Sequence, residues 1–309
     1  MEEKRNVLSI EHLSISFSRY ERGFRRTNLN AIRDLSLTVG EGEMVAVVGA
    51  SGSGKSLLAH AVLGILPYNA SWSGTMTYRG EMLTEKRMKA LRGKEIVLVP
   101  QSVSYLDPLM RVGEQVRNGK QDGESRKKSL EVLGRYGLDE KTERLFPFQL
   151  SGGMTRRILI STAVMETPRL VIADEPTKGL DAVIRNQVYS VLRQIYTEHH
   201  CSMLVITHDL ALARRLCDDI RVLYMGRIIE QGTAEEVMER PRHPYTAGLI
   251  HSLPSRGMVP IPPPDPGRLE HTGCPFYPRC PRAMERCGRE APGEVALPTG
   301  GKVRCFLYE

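Results

Sequence analysis

At 309 residues, with 41% apolar and 26% charged side chains, the chain has the size and composition of a globular protein with one large α/β core and an appendage. No apolar run approaches the roughly 18 residues of a membrane span. Nor does an apolar segment follow Met1-Glu2-Glu3-Lys4-Arg5, so no secretory leader is expected and the chain is expected in the cytosol. The net charge of +7 comes from scattered residues, and the densest cluster, Arg126-Lys127-Lys128, reads as a solvated helix face. Charge therefore gives no reason to expect nucleic acid as a partner.

Residues 7–48 alternate short apolar segments with turn residues, the pattern of a β-rich opening. Met44-Val45-Ala46-Val47-Val48 is a continuous apolar run of strand length, which suits a strand buried on both faces. It leads into Gly49-Ala50-Ser51-Gly52-Ser53-Gly54-Lys55-Ser56, after which Ser56 to Leu63 have helical spacing. A glycine loop between a strand and a helix is the setting a phosphate-binding loop requires. Gly49, Gly52 and Gly54 let backbone N–H groups face an anion, with Ser51 and Ser53 between them, and the helix aims its positive end at the same place. Lys55 is expected to reach the β- and γ-phosphates, and Ser56 to ligate magnesium.

Ile96–Val99, Leu170–Ala173 and Met203–Ile206 are further buried-strand candidates. Helical segments separate them, which predicts a mostly parallel sheet with crossover helices. From about 102 to 167 the pattern is helical and more polar, the mark of a helical subdomain inserted into the sheet domain. Asp174 closes the Leu170–Ala173 strand, where its carboxylate can hold magnesium through water. Glu175 follows, placed to orient and activate an attacking water.

Composition changes near Arg240: thirteen of the nineteen prolines and four of the six cysteines fall in residues 241–309. We expect a domain over 1–240 and a loop-rich extension over 241–309, held by something other than a large core. Five, six and seventeen residues separate Cys274, Cys280, Cys287 and Cys305. A disulfide framework is not expected in the cytosol, and the Cys-x2-Cys knuckle of a zinc finger is absent. An iron–sulfur cluster, zinc and free thiols remain as readings of the four. Cys201 and Cys217 are expected to be small buried apolar groups.

Leu150-Ser151-Gly152-Gly153-Met154 stands between the glycine loop and Leu170-Val171-Ile172-Ala173-Asp174-Glu175-Pro176. Motifs in this order resemble the ATP-binding subunit of an ABC transporter, over nearly the whole chain. The resemblance implies the P-loop ABC ATPase fold, an α/β architecture with a mixed sheet core and an inserted helical subdomain. It also implies a Q-loop at Gln101, touching magnesium and water and sensing the membrane subunits, a D-loop at Asp181, and a switch histidine, His208, on the γ-phosphate. Ser151, Gly152 and Gly153 match the turn that closes over ATP held by the opposite subunit. Met154 departs from the commoner Gln, and Lys178-Gly179 from the commoner Ser-Ala before Leu180-Asp181. For adenine stacking Phe17 is favoured over Tyr20, with core packing as the alternative role of either ring.

Gln101-Ser102-Val103-Ser104-Tyr105-Leu106-Asp107-Pro108 resembles the segment after the Q-loop in oligopeptide, dipeptide and nickel importers. His243-Pro244-Tyr245-Thr246-Ala247-Gly248-Leu249 resembles their C-terminal extension. This branch implies ATP and Mg2+ as ligands and peptide as cargo, with nickel or a metal chelate as the alternative. By the same likeness Cys274, Cys280, Cys287 and Cys305 hold a [4Fe–4S] cluster. The implied partners are two transmembrane permease subunits and a paralogous ATPase subunit or a second copy, with an extracytoplasmic binding protein acting indirectly. The implied location is the cytoplasmic face of the plasma (inner) membrane. DNA-repair and chromosome-organising ATPases share the nucleotide motifs, but about 95 residues between Ser56 and Ser151 leave no room for their coiled-coil arms. Two-domain translation factors and a nonhydrolysing scaffold with a redox-sensing tail are the other rivals, and neither explains the whole motif order.

Overall fold

The structure, a computed structural model, describes residues 5–20, 26–265, 267 and 272–309. The chain opens with two fifteen-residue strands, β1 (Asn6–Tyr20) and β2 (Arg26–Gly40). There follow β3 (Met44–Val48), α1 (Lys55–Leu63), β4 (Ala70–Tyr78), β5 (Glu81–Met82), α2 (Glu85–Leu91) and β6 (Ile96–Val99). Strands β2, β1, β4 and β5 form an antiparallel sheet in that order. The opening looks broken in sequence because its register shifts between Ile10 and Leu13 and again between Leu13 and Ile15. His12 and Asp34, both with positive φ, sit at these irregularities and join through Nδ1 and Oδ1 at 2.6 Å. Bulges of this kind interrupt the alternation without ending the strand.

From Gln101 to Arg169 the described residues hold no strand. They carry α3 (Val112–Val116), α4 (Gly123–Arg135) and α5 (Gly152–Val164), joined by short 3-10 turns. Asp122 caps α4 by accepting the Ser125 N–H, and Ser151 caps α5 by accepting that of Met154.

The chain then adds β7 (Leu170–Asp174), α6 (Ala182–His199), β8 (Ser202–Thr207), α7 (Leu210–Leu216), β9 (Asp219–Tyr224), β10 (Arg227–Thr233) and α8 (Ala234–Glu239). The last part holds α9 (Pro244–His251), α10 (Glu285–Arg289), β11 (Val295–Ala296) and β12 (Lys302–Val303). The larger sheet runs β11-β12-β10-β9-β3-β8-β7-β6, parallel from β9 to β6 and antiparallel beyond. Every residue of β3, β7 and β8 is buried, which is why these strands read as unbroken apolar runs. Met44, Ala46 and Val48 enter one core cluster and Val45 and Val47 the other, so β3 feeds both faces of the sheet.

The tail packs onto the large sheet. Its β12 pairs with β10 beyond β9 of the large sheet, and Tyr245, Cys274, Phe276, Cys287 and Phe306 join the core cluster that holds Met44, Ala46 and Val48. Cys201 and Cys217 are buried in the sheet domain, where burial pushes the Cys201 thiol up to about 11. No helix among the described residues is long and apolar enough to cross a membrane.

Candidate nucleotide site

Parallel strands deliver their C-terminal ends to one edge, where loops can converge on a ligand. At this edge the Gly49–Ser56 loop lies beside the ends of β7 and β8. Gly52 and Gly54 have φ of 80° and 102°, a region that glycine enters freely. At Gly49 a Cβ would lie 2.2 Å from the Leu223 carbonyl oxygen, so only glycine fits between the loop and β9. Ser53 is buried, and its Oγ has no hydrogen-bond partner among the described residues. A buried hydroxyl left unpaired within a glycine cradle fits a phosphate ligand.

Lys55 is 5% exposed, and its Nζ donates to the carbonyls of Gly49 at 2.8 Å and Ala50 at 3.0 Å. Burial pulls its pKa down, while Glu175 and Asp174 pull it back up. Ser56 Oγ donates to Asp174 Oδ1 at 3.1 Å, and both are hard oxygen donors of the kind magnesium takes. Burial also raises the Asp174 pKa, opposed chiefly by the Ser56 hydrogen bond. A divalent cation there would favour the ionised carboxylate against that burial.

Glu175 is buried, with Oε1 at 3.7 Å from Lys55 Nζ and Oε2 at 2.6 Å from His208 Nδ1. The His208 side chain is 48% exposed. Asp181 caps α6, its Oδ1 accepting the N–H groups of Val183 at 2.9 Å and Ile184 at 3.0 Å. Lys55, Ser56, Asp174, Glu175 and His208 thus come together in one chain. Gln101 follows β6 and is half-buried.

Ser151 and Gly152 are exposed at the start of α5, and a Cβ on Gly152 would meet nothing. That leaves them open to a second molecule. Phe17 is half-buried and packs on the core cluster formed with the smaller sheet. Tyr20 ends β1, and its side chain lies outside the described residues.

In the tail, Cys274, Cys280, Cys287 and Cys305 line one narrow cleft together with His243, Phe276 and Phe306. Burial pushes the Cys274 thiol up to about 11, and the other three thiols add to the rise. Among the described residues no group of three His, Cys, Asp or Glu side chains is placed to hold a metal ion.

The family described as "ABC transporter" matches residues 32–178, and that described as "Oligopeptide/dipeptide transporter, C-terminal region" matches residues 229–287. The oligopeptide transport ATP-binding protein OppD of Salmonella typhimurium is 36% identical over 97% of this chain and 93% of its own length. The chain belongs to the ATP-binding subunits of the oligopeptide/dipeptide ABC transporters.

The dipeptide transport ATP-binding protein DppD of Bacillus subtilis is 34% identical over 98% of this chain and 95% of its own. Among solved structures, the dimeric ATP-binding cassette MJ0796, in a post-hydrolysis state with ADP and Pi, aligns with a TM-score of 0.63. It is 26% identical, and the alignment covers 74% of this chain and 98% of that one. This ABC subunit is thus an ATPase coupled to transport, with ATP and magnesium as its ligands.

Two site features of this ABC subunit escaped the sequence reading. Arg156, buried on α5, donates from Nη1 to the Pro100 carbonyl at 2.6 Å and from Nη2 to that of Gln101 at 3.0 Å. It ties the Ser-Gly-Gly helix to the segment carrying Gln101. A charge within a mostly apolar helix was its only sequence signal. The second is Tyr245, whose hydroxyl accepts the Ala50 N–H at 3.1 Å from 195 residues away. Nothing in local sequence could pair these two.

Proposed function

We propose that this subunit binds and hydrolyses ATP to power an importer of di- and oligopeptides. The observation that carries the reading is the convergence of Lys55, Ser56, Asp174, Glu175 and His208 at one sheet edge, with Ser56 Oγ 3.1 Å from Asp174 and Glu175 Oε2 2.6 Å from His208. The peptide assignment is supported by relatives named for oligopeptide and dipeptide transport that match along nearly the whole chain.

In this reading the backbone of Gly49, Ser51, Gly52, Ser53 and Gly54 cradles the phosphates. Lys55 neutralises the β- and γ-phosphates, and Ser56, Gln101 and Asp174 surround magnesium. Glu175 takes the proton of the attacking water, and His208 and Gln101 orient the γ-phosphate and the water. Adenine stacks on the accessible part of Phe17. Ser151, Gly152, Gly153 and Asp181 serve the nucleotide held by the other ATPase subunit, a paralogue or a second copy. Closure of that dimer moves two permease subunits at the cytoplasmic face of the inner membrane, where an extracytoplasmic binding protein delivers cargo from the opposite side. Residues 1–240 form the nucleotide-binding domain, with its helical subdomain at about 102–167, and residues 241–309 form the extension.

The same reading gives Cys274, Cys280, Cys287 and Cys305 to a [4Fe–4S] cluster. Four thiols lining one cleft are the number and kind of ligand such a cluster needs. Bound, the cluster would supply a cross-link among four points of a loop-rich segment.

Uptake of labelled peptide and labelled nickel in cells carrying wild type or Glu175→Gln tests the reading. Loss of peptide uptake alone is expected. Loss of nickel uptake alone would move the subunit to metal import, and no change in either would remove both cargoes.

A further inference from the structure

The Tyr245 ring is 1% exposed and is held from several sides. Its centroid lies 4.4 Å from that of Tyr224 and 5.5 Å from that of Phe276. Its own N–H donates to His243 Nδ1 at 3.0 Å, which caps α9. Upstream, the buried Glu230 carboxylate of β10 accepts the N–H groups of Arg242 at 2.7 Å and His243 at 2.8 Å. The extension and the large sheet therefore fix the tyrosine hydroxyl in space before any nucleotide arrives.

That hydroxyl accepts the Ala50 N–H at 3.1 Å. The Ala50 N–H and the Gly49 carbonyl belong to one peptide unit, which is planar and trans, so the two point in opposite directions. On the N–H side stands Tyr245. On the carbonyl side, at 2.8 Å, stands Lys55 Nζ. Leu223 closes off a third side, leaving Gly49 no room for a Cβ. With one end of the peptide held, its rotation is restricted and its oxygen stays aimed at the lysine.

We propose that Tyr245 is a positioning residue for the nucleotide loop, setting the Gly49–Ala50 peptide plane and through it the resting place of Lys55. The extension thereby takes part in ATP binding without touching ATP. Phe276, which lines the four-cysteine cleft and packs edge-on against Tyr245, continues the same contact path into the tail. The inference rests on the nucleotide-site reading above.

The test compares full-length wild type, Tyr245→Phe and Tyr308→Phe, each purified without oxygen, for MgATP affinity and melting temperature. Tyr308 is the control because its hydroxyl also bonds within the extension, to the Arg242 carbonyl, away from the loop. Loss of the Tyr245 hydroxyl should weaken MgATP binding about fivefold, the equivalent of one hydrogen bond, at a melting temperature matching that of the control. Equal MgATP affinity in the two variants overturns the proposal. Failure of wild type itself to bind MgATP would instead overturn the nucleotide-site reading. Amide exchange of the nucleotide-free wild type gives a check independent of either variant: the Ala50 N–H should be protected, and rapid exchange there overturns the proposal.

Discussion

Glu175 Oε2 lies 2.6 Å from His208 Nδ1 and accepts the His208 backbone N–H at 3.3 Å, so one carboxylate oxygen holds two donors of the same residue. The Nδ1 contact leaves the other ring nitrogen of His208 clear of this carboxylate. Glu175 also has φ of 46°, uncommon for a residue with a side chain, and its N–H donates to the Ile206 carbonyl at 2.7 Å. A strained backbone at the end of β7 thus sets the carboxylate between Lys55 and His208. Such strain persists where the surrounding structure over-determines it, as here between two parallel strands.

Replacing Glu175 with Gln keeps the shape and removes the proposed base. Hydrolysis with a competent partner subunit should fall by roughly 10²–10⁴-fold while MgATP still binds. Phosphate release and equilibrium binding, measured on the same preparation, separate the two effects. Equal loss of both would make Glu175 a folding or binding group instead.

Asp219 predicts a pH dependence of stability. Burial first, then a hydrogen bond to Glu43, push its pKa from 3.8 up to about 6, with Arg221 at 3.7 Å opposing and Asp218 adding to the rise. A carboxyl with a raised folded pKa binds more protons folded than unfolded. Its stabilising effect is therefore complete below about pH 3.8 and is lost as pH rises toward 6. Asp219→Asn should make the protein more stable than wild type by about 1–3 kcal/mol at pH 8. The difference should close near pH 4. Denaturant melts at the two pH values check this, and a pH-independent difference would contradict it.

Cys280→Ser removes one of four thiols around the tail cleft. On the proposed cluster reading, the variant purified without oxygen should carry much less iron and visible charge-transfer absorbance than wild type and should melt lower, since a metal staple contributes directly to folding. Unchanged iron content would take Cys280 out of the ligand set. Wild type without iron but with one zinc per chain would replace the cluster by zinc.

The central strands were legible because burial on both faces writes an unbroken apolar run, as in Met44–Val48 and Leu170–Asp174. The places of Lys55 and Ser56, one loop beyond β3 at the start of α1, and of Asp174 and Glu175, at the end of β7, were legible because they follow from those strands. The long β1 and β2 were not, since bulges at His12 and Asp34 break their alternation into apparent turns. The joining of the tail to the main core was also hidden. It depends on β12 pairing with β10 and on Phe276 packing against Tyr224 and Tyr245, contacts between segments far apart in sequence. Phe17 shows the remaining difficulty: an aromatic on a strand carries the same letter whether it stacks on a base or fills a core.

Arg156 offers the sharpest test of how the helical segment reaches the catalytic edge. Its guanidinium is buried, its Nε has no hydrogen-bond partner among the described residues, and the two carbonyls it does bond belong to Pro100 and Gln101. Burial lowers its pKa, and attraction to Asp174 opposes that, so the cation acts on the Asp174 carboxylate as well. Arg156→Met fills similar space but leaves both carbonyls unpaired and Gln101 untethered. Removing a buried charge offsets part of the lost hydrogen bonding, so stability should change by only about 1 kcal/mol. Groups that orient a metal's own ligands typically matter more for the metal than for the fold. The magnesium concentration for half-maximal ATPase should therefore rise roughly tenfold, with magnesium-free nucleotide affinity little changed. A shift in stability with no shift in magnesium dependence would reduce Arg156 to a packing residue.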